Sequence, residues 1–251
     1  MFSLFSGAHI ETNKPVAAFS GNVKTNIGKG TFADHLVEQL VPSDRWGQQF
    51  VTAPIPGRTV GDVFRIVAKE DGTTVTIPGM APVNLNKGDT YTFELPSAQY
   101  NYITSTNPIM LAQFVKSQQK GTESADPSMM IIPPYEQFGS DYTFTTPEYS
   151  HPEYGNNSIY RYQNEFMIVA KKSDTSGLLL DGKPFPPTTW VDIPGTDLVG
   201  TSVTLPHGPH TVRHSDPLST FGGYLYGHAY HESYGFPTGM RTAIIHDKVW
   251  R

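Results

Sequence analysis

Polar and apolar residues alternate with period two along most of the chain, and Gly or Pro interrupts the alternation every few residues. In FRIVAKEDGTTVTI, Phe64 to Ile77, the side chains of Phe64, Ile66 and Ala68 fall on one face of a strand and those of Arg65, Val67 and Lys69 on the other. EDGT is a turn and TVTI resumes the pattern, so the stretch predicts a hairpin. The same text returns as FMIVAKKSDTSGLLLDG, Phe166 to Gly182, in which five of the first six residues coincide with the first copy. Other landmarks keep the order. Pro42, Trp46, Gly47 and Phe50 recur as Pro134, Phe138, Gly139 and Tyr142, an offset of 134 − 42 = 92, and Pro108 recurs as Pro217, an offset of 217 − 108 = 109. The offset grows through longer loops in the second copy, notably YSHPEYGNNSIYR between Tyr149 and Arg161, as expected of a duplication that drifts by loop insertion.

A third, partial copy brackets the pair. HIETNKPVAAFSGN (His9 to Asn22) puts Pro15 where Pro108 and Pro217 stand, and ESYGF puts Tyr234-Gly235 where Trp46-Gly47 and Phe138-Gly139 stand. The chain therefore reads as opening on the end of one unit and closing on the start of another, either as a piece of a longer array or with the two partial units completing or capping their neighbours. Each full unit has the size of an antiparallel β-sandwich. The predicted fold is all-β: two tandem sandwich-like lobes from an internal duplication, residues 1–120 and 121–251. KSQQKGTESADPS (Lys116 to Ser128), polar and aperiodic, would join them. Proline at the head of each closing strand suits a first or edge position, since it has no amide hydrogen for a central ladder. One short helix is expected over DHLVEQLV (Asp34 to Val41), with Asp34 as its N-cap and Leu36, Val37 and Leu40 on one face.

Composition agrees with many short strands, since 23 Gly and 21 Pro leave little room for long helices. A net charge of −5 without a basic block argues against nucleic-acid or anionic-membrane partners. With no cysteine there is no disulfide, thiolate metal site or cysteine nucleophile. No apolar run is long enough for a membrane helix, and MFSLFSGA lacks the basic start and long core of a signal peptide.

Histidine is the concentrated chemistry: His207, His210, His214, His228 and His231 lie within twenty-five residues. Residues three apart on a strand point to opposite faces, so the His228/His231 spacing does not make a strand metal site, and neither metal nor cofactor is expected. YLYGHAYHESYGF supplies Tyr224, Tyr226, Tyr230, Tyr234 and Phe236, either as alternate core residues or as a recognition surface. Tyr226, His228, Tyr230, His231 and Tyr234 are therefore the candidate binding residues. Asp71, Asp181, Asp192 and Asp197 sit in turn-like contexts, where Asp bonds local backbone, rather than as a hydrolytic pair. GNVKTNIGKG lacks P-loop spacing, RTVGD allows an Arg58–Asp62 contact, and Asn156 carries the one glycosylation sequon.

VAAFSGN, followed by DHLVEQLVPSDRWGQQFVTAPIPGRTVGDVFRIVAKEDGTTVTI, and SYGFPTGM near the C-terminus resemble the IgGFc-binding domain family of extracellular mucus and adhesion proteins. The resemblance implies a secreted, non-enzymatic β domain of a larger protein that contacts a protein or glycan, with immunoglobulin Fc as partner of some members. That family usually has cysteine just before the DHLVEQ stretch, where this chain has Ala33. A structural spacer or assembly unit is the alternative reading, followed by a carbohydrate-active hydrolase with carboxylates in an inter-lobe cleft.

Overall fold

A computed structural model describes residues 6–118, 126–148, 162–229 and 231–245. The strands of the first half are β1 (Phe19–Thr25), β2 (Asp34–Gln39), β3 (Gly47–Thr52), β4 (Asp62–Ala68), β5 (Thr73–Thr76), β6 (Val83–Leu85), β7 (Thr90–Leu95) and β8 (Asn101–Val115). They are followed by β9 (Met129–Ile132), β10 (Asp141–Thr146), β11 (Gln163–Lys171), β12 (Leu178–Leu180), β13 (Lys183–Pro184) and β14 (Val191–Asp192). The chain then forms β15 (Leu198–Leu205), β16 (Gly208–His214), β17 (Phe221–Ala229) and β18 (Glu232–Pro237). Among the described residues the helical segments are short 3-10 turns, such as Ser43–Arg45 and Tyr135–Gln137, so the chain is all-β.

β8 organises the first half. Its last residues pair with β4, which pairs in turn with β7; its first residues pair with β3 and β5, and β5 carries β6. One long strand thus serves two layers, and Phe50, Phe64, Ile66, Val75, Phe93, Ile103, Ile109 and Leu111 fill the space between them. Pro108 lies inside β8, not at a strand start, at the point where the strand passes from one set of partners to the other. Its carbonyl accepts the Lys69 amide (3.0 Å), and its missing N–H falls where neither ladder needs it.

The second half repeats these pairings. β11 lies between β15 and β17 as β4 lies between β7 and β8, and β16 pairs with β10 and β12 as the start of β8 pairs with β3 and β5. Phe50 opposite Ile103 becomes Tyr142 opposite Val212, offsets of 142 − 50 = 92 and 212 − 103 = 109. Phe64 opposite Gln113 becomes Phe166 opposite Leu225, offsets of 166 − 64 = 102 and 225 − 113 = 112. The single strand β8 is split into β16 and β17 by an insertion of three residues, since 112 − 109 = 3, and exposed Pro217 lies in that interruption.

Two sequence expectations are corrected. Phe64–Ile77 is not a hairpin, because β5 does not pair with β4 but crosses to β8 and β6, and the echo in β11 and β12 does the same. The turn between them leads the chain out of its layer, with Gly72 at φ +65°. Asp34–Val41 is not a helix either. Its core is strand β2, whose Leu36 and Glu38 turn inward while His35, Val37 and Gln39 are exposed, and it is hydrogen-bonded to β1 along its length. Asp34 Oδ1 accepts the neighbouring His35 amide (2.6 Å) instead of capping a helical turn. Pairing with β1 satisfies the backbone groups of β2 that face it and overrides a helical propensity that is weak over eight residues.

The halves share a core. The β11–β17 sheet puts Phe166, Ile168 and Leu225 into its own lobe, together with Tyr142, Phe144, Val212 and Phe221. Its opposite face, Met167, Val169, Tyr224 and Tyr226, belongs to the core of the first half. Tyr224 donates to the carbonyl of Val51 (2.9 Å), and Tyr100 lies against Gly200, where a β-carbon would collide with its ring.

Candidate binding surface

An open cleft of about 520 Å³ lies where the two halves meet. β3 and β8 contribute Gln49 and Tyr102, whose hydroxyl donates to Gln49 Oε1 (2.5 Å). The turn after β9 contributes Tyr135, β11 contributes Lys171, the β14–β15 connection contributes Gly195, Thr196 and Asp197, and β15 contributes Leu198. These side chains stand on a held frame. Glu136, beside Tyr135, accepts the Gln48 amide (2.9 Å), and buried Gln137 bonds both Arg45 and Ala243. Thr196 Oγ1 donates to Ile193 (2.8 Å) and accepts the Leu198 amide (3.0 Å), fixing the far rim.

Tyr102 and Tyr135 are half-buried aromatic surfaces, and Lys171 pairs with Asp197 (3.9 Å) as the nearest opposite charges. Burial pushes the Tyr102 hydroxyl pKa up, and Glu136, Tyr135 and Asp197 push it the same way, so it remains a neutral donor and acceptor. Stacking area, neutral hydrogen-bonding groups and one ion pair in a wet, open cleft suit a polar ligand with apolar faces, such as a sugar or the loop of a protein. Among the described lining residues Asp197 is the one carboxylate.

The residues singled out from sequence lie elsewhere. Tyr226 is fully buried, with Tyr224, in the shared core and presents nothing to solvent. His228 is half-buried beside the Tyr226 ring. His231, at φ +58°, lies against Phe32, and Tyr234 donates to Asn164 (2.6 Å) and stacks on Phe236. Burial and Tyr162 hold the Tyr234 hydroxyl pKa well above its usual value. Tyr230 and Asn156 lie outside the described residues.

The other histidines are dispersed. His207 faces Glu148 (3.5 Å), and buried His210 sits between Asp181 Oδ2 (2.8 Å) and the Pro206 carbonyl (2.9 Å). His214 donates from Nε2 to Asp174 (2.8 Å) and accepts the Asp216 amide at Nδ1 (3.0 Å). Asp181 also accepts the Thr211 amide. Burial raises its pKa, but the Thr211 amide and His210 outweigh that, and the carboxyl is held below its usual value. Among the described residues no group of three or more His, Asp or Glu is placed to hold a metal ion. Burial drives the Asp62 carboxyl pKa up overall, and the charge of Arg58, buried in the same RTVGD segment, acts in the opposite direction without reversing it.

The cleft residues have no signature in the sequence, because the eight of them come from five separate segments. One faint signal exists: at an offset of 92, Tyr135 replaces Ser43, an aromatic gained in one copy of an otherwise matched motif.

The model of the family described as IgGFc binding protein matches residues 3–227. The chain belongs to the IgGFc-binding family. A human relative, "IgGFc-binding protein", is 26% identical over 226 residues, and the match covers 88% of this chain and 4% of the relative. This IgGFc-binding domain thus corresponds to a small part of that protein. A solved structure, Pleurotus ostreatus lectin in its apo form, aligns over 96% of this chain and 93% of its own at 9% identity, but with a TM-score of 0.23 it carries no argument. No helix among the described residues is long and apolar enough to cross a membrane.

Proposed function

We propose that this IgGFc-binding domain is a non-enzymatic extracellular binding module that takes a protein or glycan into the cleft between its two halves. The observation that carries the reading is the cleft itself: Tyr102 and Tyr135 on one wall, and Thr196 with the Lys171–Asp197 pair on the other, all on hydrogen-bonded supports. Rigid strands hold the frame and loops supply the contacts, on what we read as two tandem units, residues 1–120 and 121–251. The family name makes immunoglobulin Fc the first protein ligand to try. His231, in the turn before β18, and Tyr234, on β18, are half-buried and form a secondary contact area.

The test is a glycan array and surface plasmon resonance against immobilised IgG Fc, run with the parent domain and with Tyr102→Ala, Tyr135→Ala and Lys171→Glu. Loss of at least about tenfold in affinity in these variants, with unchanged melting temperature, supports the cleft. Binding that all three variants retain, or no binding on either platform, overturns it.

A further inference from the structure

The β1–β2 pair is a sheet of two strands only, and β1 is exposed along most of its length. Its register identifies its place in the repeat. Phe19 pairs with Gln39, and Ala112 pairs with Ile131. Since 131 − 39 = 92 and 112 − 19 = 93, β1–β2 is the counterpart of the end of β8 with β9. The same shift carries Pro15 onto Pro108. β18 on β17 is the third instance, because Ala112 corresponds to Tyr224, which pairs with Pro237; this register sets Tyr234-Gly235 against Ser128-Met129 and corrects the sequence match to Phe138-Gly139. Each of the three is a closing strand of one unit with an opening strand beside it.

β8 and β17 have a second partner on their other edge: β4 and β11, the strands that carry FRIVAK and FMIVAK. Among the described residues nothing pairs with that edge of β1. Val16 corresponds to Ile109 and Phe221, which are 0% and 1% exposed, yet Val16 is 62% exposed. Phe19, Val23 and Val37 are exposed as well. The hairpin is nonetheless held in place, because Ser117 accepts the Ile27 amide at its Oγ (2.8 Å) and donates its own amide to Ile27 (3.0 Å), while Thr31 donates to Gln118 (3.1 Å). An ordered, exposed edge that carries Phe19 and Val23 is what strand addition uses.

We infer that the free edge of β1 is an acceptor for one strand of a neighbouring unit of the same repeat, a segment of the F-x-I-V-A-K type added antiparallel as β4 adds to β8. A second copy of this chain does not supply it directly, since its own β4 and β11 are already paired on both edges. The site is independent of the cleft.

The experiment titrates the intact domain with a synthetic peptide of the sequence Asn164 to Lys171, NEFMIVAK, against a scrambled control, and follows backbone hydrogen exchange. The expected result is exchange in residues 19–25 slowed by at least about tenfold at saturation. The control should do nothing, and the effect should disappear in the double variant Val16→Lys, Phe19→Lys, whose two positions are solvent-exposed. No protection at millimolar peptide, protection that the scrambled sequence reproduces, or a domain already dimeric through β1 by analytical ultracentrifugation would each overturn the assignment. Fc or glycan binding by the same double variant reports on the cleft separately.

Discussion

Asp62 opens β4 at the bottom of the first core, 3% exposed, with Oδ2 accepting from the Gln113 amide group (2.8 Å). Burial pushes its carboxyl from 3.8 up to about 6, against the opposing effects of Gln113, Arg58 and Lys116. A folded-state pKa above the unfolded one means that the folded protein binds the proton more tightly. The stabilising contribution is therefore fully present below pH 3.8 and is lost as pH rises through about 6. A rise of about two pH units is worth about 3 kcal/mol at 1.36 kcal/mol per unit. Asp62→Asn imitates the protonated acid and removes the titration. The stability difference between variant and parent should move by about 3 kcal/mol in favour of the variant between pH 3.5 and 7.5. For a chain of this length that is a relative displacement of about 6–12 °C in melting temperature. Because the comparison is of one chain against the other at each pH, all other titrating groups cancel, as does any fixed cost of fitting the Asn amide beside Arg58. Paired urea or thermal melts at the two pH values measure it. A difference that stays constant across that range would refute the argument that burial, not Arg58, dominates this site.

Glu38, on the inward face of β2, is pushed up from 4.5 to about 7 by burial, so the hairpin gains stability below pH 4.5 and loses it as pH rises through about 7. Intrinsic-rate-corrected hydrogen exchange across β1 and β2 should show more protection at pH 5.5 than at pH 8, and Glu38→Gln should flatten the dependence. Gly200→Val places a side chain in the ring of Tyr100 at the junction of the halves, and should cost about 1–3 kcal/mol in urea denaturation. The control Gly57→Ala, at a site open to solvent but with φ +75°, should cost only the backbone strain of about 1 kcal/mol.

The strand pattern was legible because alternation is local and the duplication supplied a check. The 92 offset holds residue for residue from Pro42 to Thr52, and the 109 offset holds through the first half of β8. Pro108 and Pro217 were matched across the three-residue insertion, where both offsets stop meaning anything. Strand partners were not legible. A turn of the form EDGT looks the same whether the next strand folds back beside its predecessor or crosses to the facing layer, and only the shape of β8 decides. Asp34–Val41 failed for a related reason: one buried Leu36 and one inward Glu38 fix a strand, while Val37 faces water and breaks the two-sided logic of a helix. The cleft was invisible because it is assembled from distant turns whose residues, Gln49, Thr196 and Asp197, are ordinary in turns and strands anywhere. Alternation alone fits Tyr224 and Tyr226 to core or surface equally, and it is the first half packing over them that makes them core.

The lone mismatch in the repeated six residues, Arg65 against Met167, is where the two copies differ physically. Both point to the back of their sheet. In the second copy that back is the shared core, where Met167 is 0% exposed beside Tyr224 and Tyr226. In the first copy the corresponding face is open enough for Arg65 to lie 5.6 Å over the Phe114 ring while donating to Thr92 (3.1 Å) and Ser6 (3.2 Å). Exchanging the residues should therefore be asymmetric. Met167→Arg buries a guanidinium among apolar side chains, with Ser202 and Tyr224 opposite, and should cost about 3–5 kcal/mol or prevent folding. Arg65→Met gives up two exposed hydrogen bonds and a surface cation–π contact, and should change stability by about 1 kcal/mol or less. Chemical denaturation of the two variants separates the cases. Equal costs would mean that the back faces of the two sheets are equally covered, and the shared core between the halves would have to be abandoned.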